Sequence, residues 1–444
     1  MIEIRSIYHP VGQGLFFSSK IIVGEQEFNF VYDCGGSLKE ERWKKVMDDY
    51  IKTLPLTNNE GNEKKRKLDL LIISHFHKDH INGLETLLER VKLNTVILPY
   101  LSPLELLLYA IVNAEFLDRP HLRFLLNPIQ YLKEKAVEEI ILIARGDESD
   151  EGIGEFSLPE NPERPNLENP FDIKNLGKDE LNKKIEKKFE EDGWNILLED
   201  NNKGITLKSY HGYALLFGVY VFGFFNVRNS IDDFEIKIND FKNCLLRKFN
   251  KPDIKKFYIY LRDNIDKVIN ELKKSRNNKF AQCYKKAFGN DKLNLTSLIV
   301  YNQLLKNYVK IKINQRVCHL FPPPFWRWCC DFYYNAFYNV KYTYAHFLTG
   351  DSELKKTKIM KEFLTYYENV LDKSLFFLLP HHGSEDNWNK NLLEELPNNE
   401  FFIASAGLNN RYNHPSCSVF ADILSEDRIP IFVNEKNWLL VIVQ

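Results

Sequence analysis

Apolar residues alternate, or run in short blocks, near both ends of the chain, whereas its middle is charged and helical in period. Ile2–Tyr8 and Leu15–Val23 read as strands around the turn HPVGQG, and Glu27–Asp33 (EFNFVYD) reads as a third. Between Ser37 and Leu54, residues Trp43, Val46, Met47, Tyr50, Ile51 and Leu54 recur at helical spacing and predict an amphipathic helix. Leu70–Ile73 is a short apolar run, the pattern of a buried strand. Leu84, Leu87, Leu88 and Val91 then mark a helix, and Thr95–Leu98 the next strand. Ser102-Pro103 reads as an N-cap followed by proline at the first helical position, opening a helix over Leu104–Val112. Ile140–Ala144 returns as a strand.

The pattern changes at Gly146–Asp172, an acidic stretch with Pro159, Pro162, Pro165 and Pro170, read as a surface loop or a lid. Lys178–Asp192 predicts a charged helix, and Ile205–Val227 predicts strands of a second sheet. Asp232–Phe288 has helical period throughout, and Leu293–Tyr301 goes back to strand. Gln303–Tyr344 is aromatic in its second half, as a wall facing substrate or as packing against the helical segment. Phe347–Asp351, Leu375–Leu379, Phe401–Ser405, Ile431–Val433 and Leu439–Val443 read as strands. Helices over Glu353–Leu371 and Val419–Leu424 lie among them. This alternation predicts a layered α/β fold. We divide it into a first α/β part (1–230), a helical insertion (231–292) and a second α/β part (293–444) with an aromatic-rich insert at 304–344.

Composition narrows the partners only slightly. The 444 residues carry a net charge near −1, so there is no global case for nucleic acid or membrane. The longest apolar run, Gly212–Val227, is short for a span of about 20 residues. The opening MIEIRSIYHP has no apolar signal core, which predicts a cytoplasmic protein. Seven scattered cysteines predict reduced thiols and no disulfide framework. Cys318, His319, Cys329 and Cys330 lack the paired spacing of a structural zinc site. From Lys251 to Arg316 there are 16 Lys/Arg against 5 Asp/Glu, interleaved with Phe257, Tyr258, Tyr260, Phe280 and Tyr284. Such a face either holds phosphates and stacks bases, or it is a helical cap with lysines in water and aromatics in its core.

The chemistry concentrates after Leu70–Ile73. There His75, His77, Asp79 and His80 fall within six residues. A strand end that passes into a tight loop can aim alternate side chains at one point. His75 and His77 then share one metal, and Asp79 and His80 reach a second beside it. Imidazole and carboxylate suit zinc, manganese or iron.

His75-Phe76-His77-Lys78-Asp79-His80 resembles the HxHxDH signature of the metallo-β-lactamase superfamily. That resemblance implies an αβ/βα four-layer sandwich, here with a mainly helical insertion, and a dinuclear metal site at the sheet edge. Its members hydrolyse β-lactams, thioesters, lactones or phosphodiesters, so the motif implies a metal hydrolase without naming a substrate. An early strand ending in Asp-x-Gly supports the metal loop in that family, and Asp33 fits the role. Leu348-Thr349-Gly350-Asp351, Pro380-His381-His382-Gly383-Ser384 and the late Asn410-Arg411-Tyr412-Asn413-His414-Pro415 follow in order. Together they resemble the soluble hydrolase domain of the competence protein ComEC, with the insertions unmatched and Leu15 where that branch usually has Asp.

By this resemblance the metal ligands are His75, His77, Asp79, His80, Asp351 and His382, with two divalent ions, zinc or manganese. Asp351 bridges them, and His381 competes with His382 for the inward position. Asp79, His381 and His414 take catalytic roles: orienting the nucleophile, and stabilising or protonating the leaving oxygen. A clear metal-binding His between the HxHxDH loop and Asp351 is missing; His211 and His346 are the nearby candidates. The expected activity is that of a dinuclear phosphodiesterase or nuclease on DNA or RNA. It would have no membrane segment, and possible protein partners, as in effectors of bacterial defence systems. A hydrolase of small esters, thioesters, lactones or cyclic nucleotides is the alternative. A third reading is a binding or assembly module with a vestigial site.

Overall fold

The computed structural model describes residues 2–57, 65–145, 155–159, 171–175, 179–198, 205–208, 212–228, 233–274, 278–289, 294–305, 309–317, 332–340 and 344–444. Its strands are β1 (Ile2–Tyr8), β2 (Phe16–Val23), β3 (Gln26–Cys34), β4 (Arg66–Ile72), β5 (Val91–Pro99) and β6 (Glu139–Ile143). They continue as β7 (Phe171–Asn175), β8 (Ile205–Lys208), β9 (Gly212–Leu216), β10 (Tyr220–Arg228), β11 (Thr296–Leu304) and β12 (Val309–Val317). The last six are β13 (Phe332–Val340), β14 (Ala345–Leu348), β15 (Phe376–Leu378), β16 (Phe401–Ser405), β17 (Ile429–Val433) and β18 (Leu439–Val443).

Among the described residues these make two sheets. The first has the order β13-β12-β18-β1-β2-β3-β4-β5-β6-β8, the second β17-β16-β15-β14-β11-β10-β9-β7. Their inner faces meet in one apolar core in which Ile4, Phe30, Leu70, Phe222, Val300, Phe347 and Ile403 are fully buried. Each such side chain contributes roughly 1.5–3 kcal/mol on burial. Two expectations about strands change. Ile205–Lys208 was expected in the second sheet, but β8 pairs in parallel with β6 at the edge of the first. The aromatic-rich stretch supplies β12 and β13, which extend the first sheet beyond β18.

Helices cover the outer faces. Glu40–Thr53 turns Trp43, Met47, Tyr50 and Ile51 onto the first sheet and leaves Lys44, Lys45 and Asp49 in water. Pro103–Asn113 starts at Ser102 as expected, with a full capping box: the Ser102 hydroxyl accepts from the Glu105 amide, and Glu105 accepts from the Ser102 amide. Among the helices that escaped the sequence reading are Arg119–Leu126 and Pro128–Glu134. Both carry a cap (Asp118, Asn127) and an early proline, signals as clear as the one at Ser102.

The insertion is helical as expected, with helices Phe234–Lys248, Ile254–Asp263, Ile265–Lys274 and Lys279–Phe288. Its Phe241, Leu245, Phe257, Ile269 and Phe280 join the same apolar cluster as Leu107 and Leu122. Of the five interleaved aromatics, Phe257, Tyr258 and Phe280 are buried in this core, which removes them as base-stacking platforms. The expectation of reduced thiols also changes, because a disulfide joins Cys244 to Cys283 across the first and last of these helices. Cys318, His319, Cys329, Cys330, His211 and most of 146–170 lie outside the described residues.

The sheets are mixed, and their parallel portions matter most for function. Strands β3 to β6 run parallel in the first sheet, and β14 to β17 run parallel in the second. Every candidate site segment follows the carboxyl end of one of these strands: Asp33 ends β3, Ser74 to His80 follow β4, Asp351 follows β14, His381 and His382 follow β15, and His414 follows β16. Ligand sites of α/β sheets form in that position because the crossover connections leave the carboxyl ends open.

Candidate metal centre

The loop after β4 is held by its neighbours' backbones. The Leu15 amide donates to the Asp79 carbonyl at 3.2 Å, and the Gly83 amide donates to the Cys34 carbonyl at 2.8 Å. A Cβ built on Gly35 would lie 2.2 Å from the Asp79 carbonyl carbon, and one on Gly14 2.3 Å from its oxygen. Only glycine permits this approach. The GQG and CGG turns thus seat the metal loop.

Two hydrogen-bond chains then aim the histidines. The Asp33 carboxylate accepts from the Ser74 amide at 2.7 Å, the Ser74 hydroxyl at 2.5 Å and His80 Nδ1 at 2.7 Å. His75 Nδ1 donates to the Ser74 hydroxyl oxygen at 2.9 Å. With their Nδ1 hydrogens committed, His75 and His80 offer Nε2 lone pairs to the site. Asp33, His75 and His80 could themselves be read as a metal-binding trio. Their contacts show an orienting network instead, since they meet through Nδ1–H and hydroxyl donors.

The same logic applies on the other sheet. His382 Nδ1 donates to the Ser405 carbonyl at 2.8 Å. His381 Nδ1 donates to Asn387 Oδ1 at 3.0 Å, and Asn387 is fixed by donating to the Ser352 carbonyl at 3.0 Å. Metal-binding imidazoles commonly have their second nitrogen tied down in this way.

Asp351 sits between the clusters and divides its oxygens. Oδ2 lies 3.2 Å from His75 Nε2 and 3.8 Å from His77 Nδ1. Oδ1 lies 3.3 Å from His80 Nε2 and 3.8 Å from His382 Nε2. Asp79 Oδ2 is 3.3 Å from His382 Nε2. The resulting groups are His75, His77 and Asp351 on one side and Asp79, His80 and His382 on the other, each with ligand atoms within 4.8 Å of one another. His382 is therefore the inward imidazole of the pair and is buried, whereas His381 remains at the mouth with 38% of its side chain exposed.

These donors fit divalent ions. His80 Nε2, His382 Nε2 and Asp351 Oδ1 are buried atoms without a hydrogen-bond partner, and all face the same space. Acceptors facing acceptors repel unless a cation lies between them. The site's carboxylates draw positive charge into this space, as a proton on His80 or as a cation in its place. Burial would lower His80, but Asp351 and Asp33 outweigh it and hold it well above its ordinary value. Burial would raise Asp79, but the neighbouring imidazoles of His382 and His80 hold it far below the carboxylate range. Asp351 is likewise held well below, its burial overcome by His381, His75, His80 and His382. His75 is pushed down to about 3, first by burial and then by His80.

The sequence candidates outside this cluster separate cleanly. His346 is buried in the core with Nδ1 3.2 Å from the Tyr8 hydroxyl and its ring stacked on Phe376, so it does not fill the missing ligand position. His9 packs on Phe16 and pairs with Ser18. The ring of His414 lies 5.5 Å from that of His381, at the mouth beside the metal groups. Burial, then His382 and His381, lower His414 to about 4. The sequence reading gave no role to Ser74, Asn387 or Ser405. Ser74, directly before the HxHxDH run, and Ser405, at the head of Ser405-Ala406-Gly407, had a local signal.

Two mixed sheets packed face to face between helices, with this site at the strand ends, define the metallo-β-lactamase fold. The family model described as the metallo-beta-lactamase superfamily matches residues 14–164, which include β2 to β6 and the HxHxDH loop. Members of that superfamily are usually hydrolases. Among solved structures, the chain is similar to the metallo-beta-lactamase fold protein YhfI from Bacillus subtilis. The identity is 7%, 98% of each chain is covered, and the TM-score is 0.32. Comparison with curated proteins finds no match.

Proposed function

We propose that this chain is a metal-dependent phosphodiesterase acting on nucleic acid. The observation that carries the reading is the division of the Asp351 carboxylate between two imidazole clusters. The donor set around it holds only nitrogen and oxygen atoms, which suits zinc or manganese. His75, His77 and Asp351 would hold one ion, and Asp79, His80, His382 and Asp351 the other. Bound there, the ions would acidify a water and neutralise charge on a phosphoryl group.

The chain's own groups supply the rest. Asp79, 31% exposed in its side chain, is positioned to accept a hydrogen bond from the attacking water. His381 and His414 stand together at the mouth, where in its protonated form either would donate to the phosphoryl or leaving oxygen. Asp33 and Ser74 keep His75 and His80 from rotating. Support for nucleic acid comes from the ComEC-like order of the motifs and from the lysines of the insertion, whose aromatics form its core while Lys255, Lys256, Lys279, Lys285 and Lys286 stay exposed. No helix among the described residues is long and apolar enough to cross a membrane.

The test is cleavage of end-labelled single- and double-stranded DNA and RNA with manganese, zinc or chelator, run beside Asp79→Ala. Metal-dependent cutting that falls by about 10²–10⁴-fold in the variant is expected. No cutting by a chain that retains both metals would overturn the nucleic-acid reading.

A further inference from the structure

The loop between β16 and the helix Cys417–Ser425 is built more firmly than a connection requires. Asn410 Nδ2 donates to the Gly407 carbonyl at 2.6 Å and the His414 carbonyl at 2.5 Å. Its Oδ1 accepts from the amides of Tyr412 at 3.1 Å and His414 at 2.9 Å. The Glu435 carboxylate accepts the Leu408 amide at 2.9 Å. The far end is clamped to the PHHG turn: the Ser416 amide donates to the Gly383 carbonyl at 2.9 Å, and a Cβ on Gly383 would lie 2.8 Å from Pro415 Cβ. The loop therefore keeps a fixed position relative to His381.

From that frame a row of side chains leads away from the metal groups. His414 lies beside His381, and Tyr412 lies near-parallel to His414, 5.8 Å between centroids at 17°. Arg411 sits over the Tyr412 ring, 4.7 Å from its centroid, and donates to its hydroxyl. Tyr412 is nevertheless 49% exposed, one of few large apolar side chains so exposed among the described residues. A rigidly held, half-exposed phenol beside a phosphoryl-handling site has the form of a stacking platform.

We infer that Tyr412, held by Arg411, stacks on the nucleobase adjoining the scissile phosphate. This rests on the phosphodiester reading above. Base–aromatic stacking is worth on the order of tenfold in affinity. The test is calorimetric titration of the manganese-supplied chain with adenosine monophosphate and with ribose 5-phosphate, which carries the same phosphate without a base. The wild type should bind adenosine monophosphate about tenfold more tightly. Tyr412→Leu should bind both equally, with ribose 5-phosphate unchanged, and Tyr412→Phe should keep the preference. If the wild type shows no preference, or Tyr412→Leu retains it, the stacking role is overturned while the phosphate site stands. If neither compound binds the wild type, the phosphodiester reading fails and the platform with it.

Discussion

His381 and His382 are consecutive residues, yet their Nε2 atoms address opposite oxygens of Asp351: His381 lies 3.7 Å from Oδ2 and His382 3.8 Å from Oδ1. Both hold left-handed backbone, with φ of 46° and 60°. Non-glycine residues resist that region, at roughly 1–2 kcal/mol each. The turn is kept there by tertiary contacts, including the His381 amide donating to the Gly350 carbonyl at 3.0 Å. Strain of this kind persists where the surroundings over-determine it.

The pair should therefore separate in a metal assay. His382→Ala is expected to lower the metal content of the purified chain and, with it, activity. His381→Ala is expected to leave metal content unchanged and to reduce turnover by about 10²–10⁴-fold. Metal analysis by mass spectrometry beside kinetics distinguishes the two. Equal metal loss in both variants would contradict the assignment of His381 to the mouth.

Asp33 belongs to neither metal group, but three donors, His80 Nδ1 among them, converge on its oxygens. Asp33→Asn keeps the shape and removes the charge that orients His80. Metal affinity, read by competition with a chromogenic chelator, should weaken by about 10- to 100-fold. Ser74→Ala should act in the same direction by releasing His75. An unchanged affinity in both would reduce the network to packing.

Acid stability should report the histidines buried away from the site. Burial lowers His9 and His346 to about 3, against an ordinary value near 6.5. Between those values the unfolded chain binds a proton on each residue that the folded chain does not. Their contribution is thus fully present above about pH 6.5 and is lost as pH falls toward about 3, at up to about 1.4 kcal/mol per pH unit for each. In chelator-treated protein, His346→Gln should flatten the slope of unfolding free energy between about pH 6 and 4 by one such increment. Urea titrations at several pH values measure this slope, and an unaltered slope would refute it.

Much of this molecule was legible along the chain because the relevant forces are local. Period and capping placed most strands and helices to within a few residues, since the apolar face of each element repeats at its own spacing. The HxHxDH run was readable for a similar reason: a strand end and a tight loop bring His75, His77, Asp79 and His80 close together, although Gly14, Gly35 and Asp33 then seat and aim them. Partners distant in sequence were not. Nothing near His381 or His382 says which imidazole faces inward; Gly350, Asn387 and Ser405 decide it, and they meet only when β14, β15 and β16 pair. Nothing near Phe257 or Phe280 says whether they stack on a ligand or join a core; the apolar cluster they share with Leu107 and Leu122 buries them. The strand assignment of Ile205–Lys208 failed likewise, because a short apolar run carries no information about its sheet until β6 offers its free edge. Tertiary contacts decide these points because each depends on hydrogen bonds or burial supplied by segments that folding alone brings together.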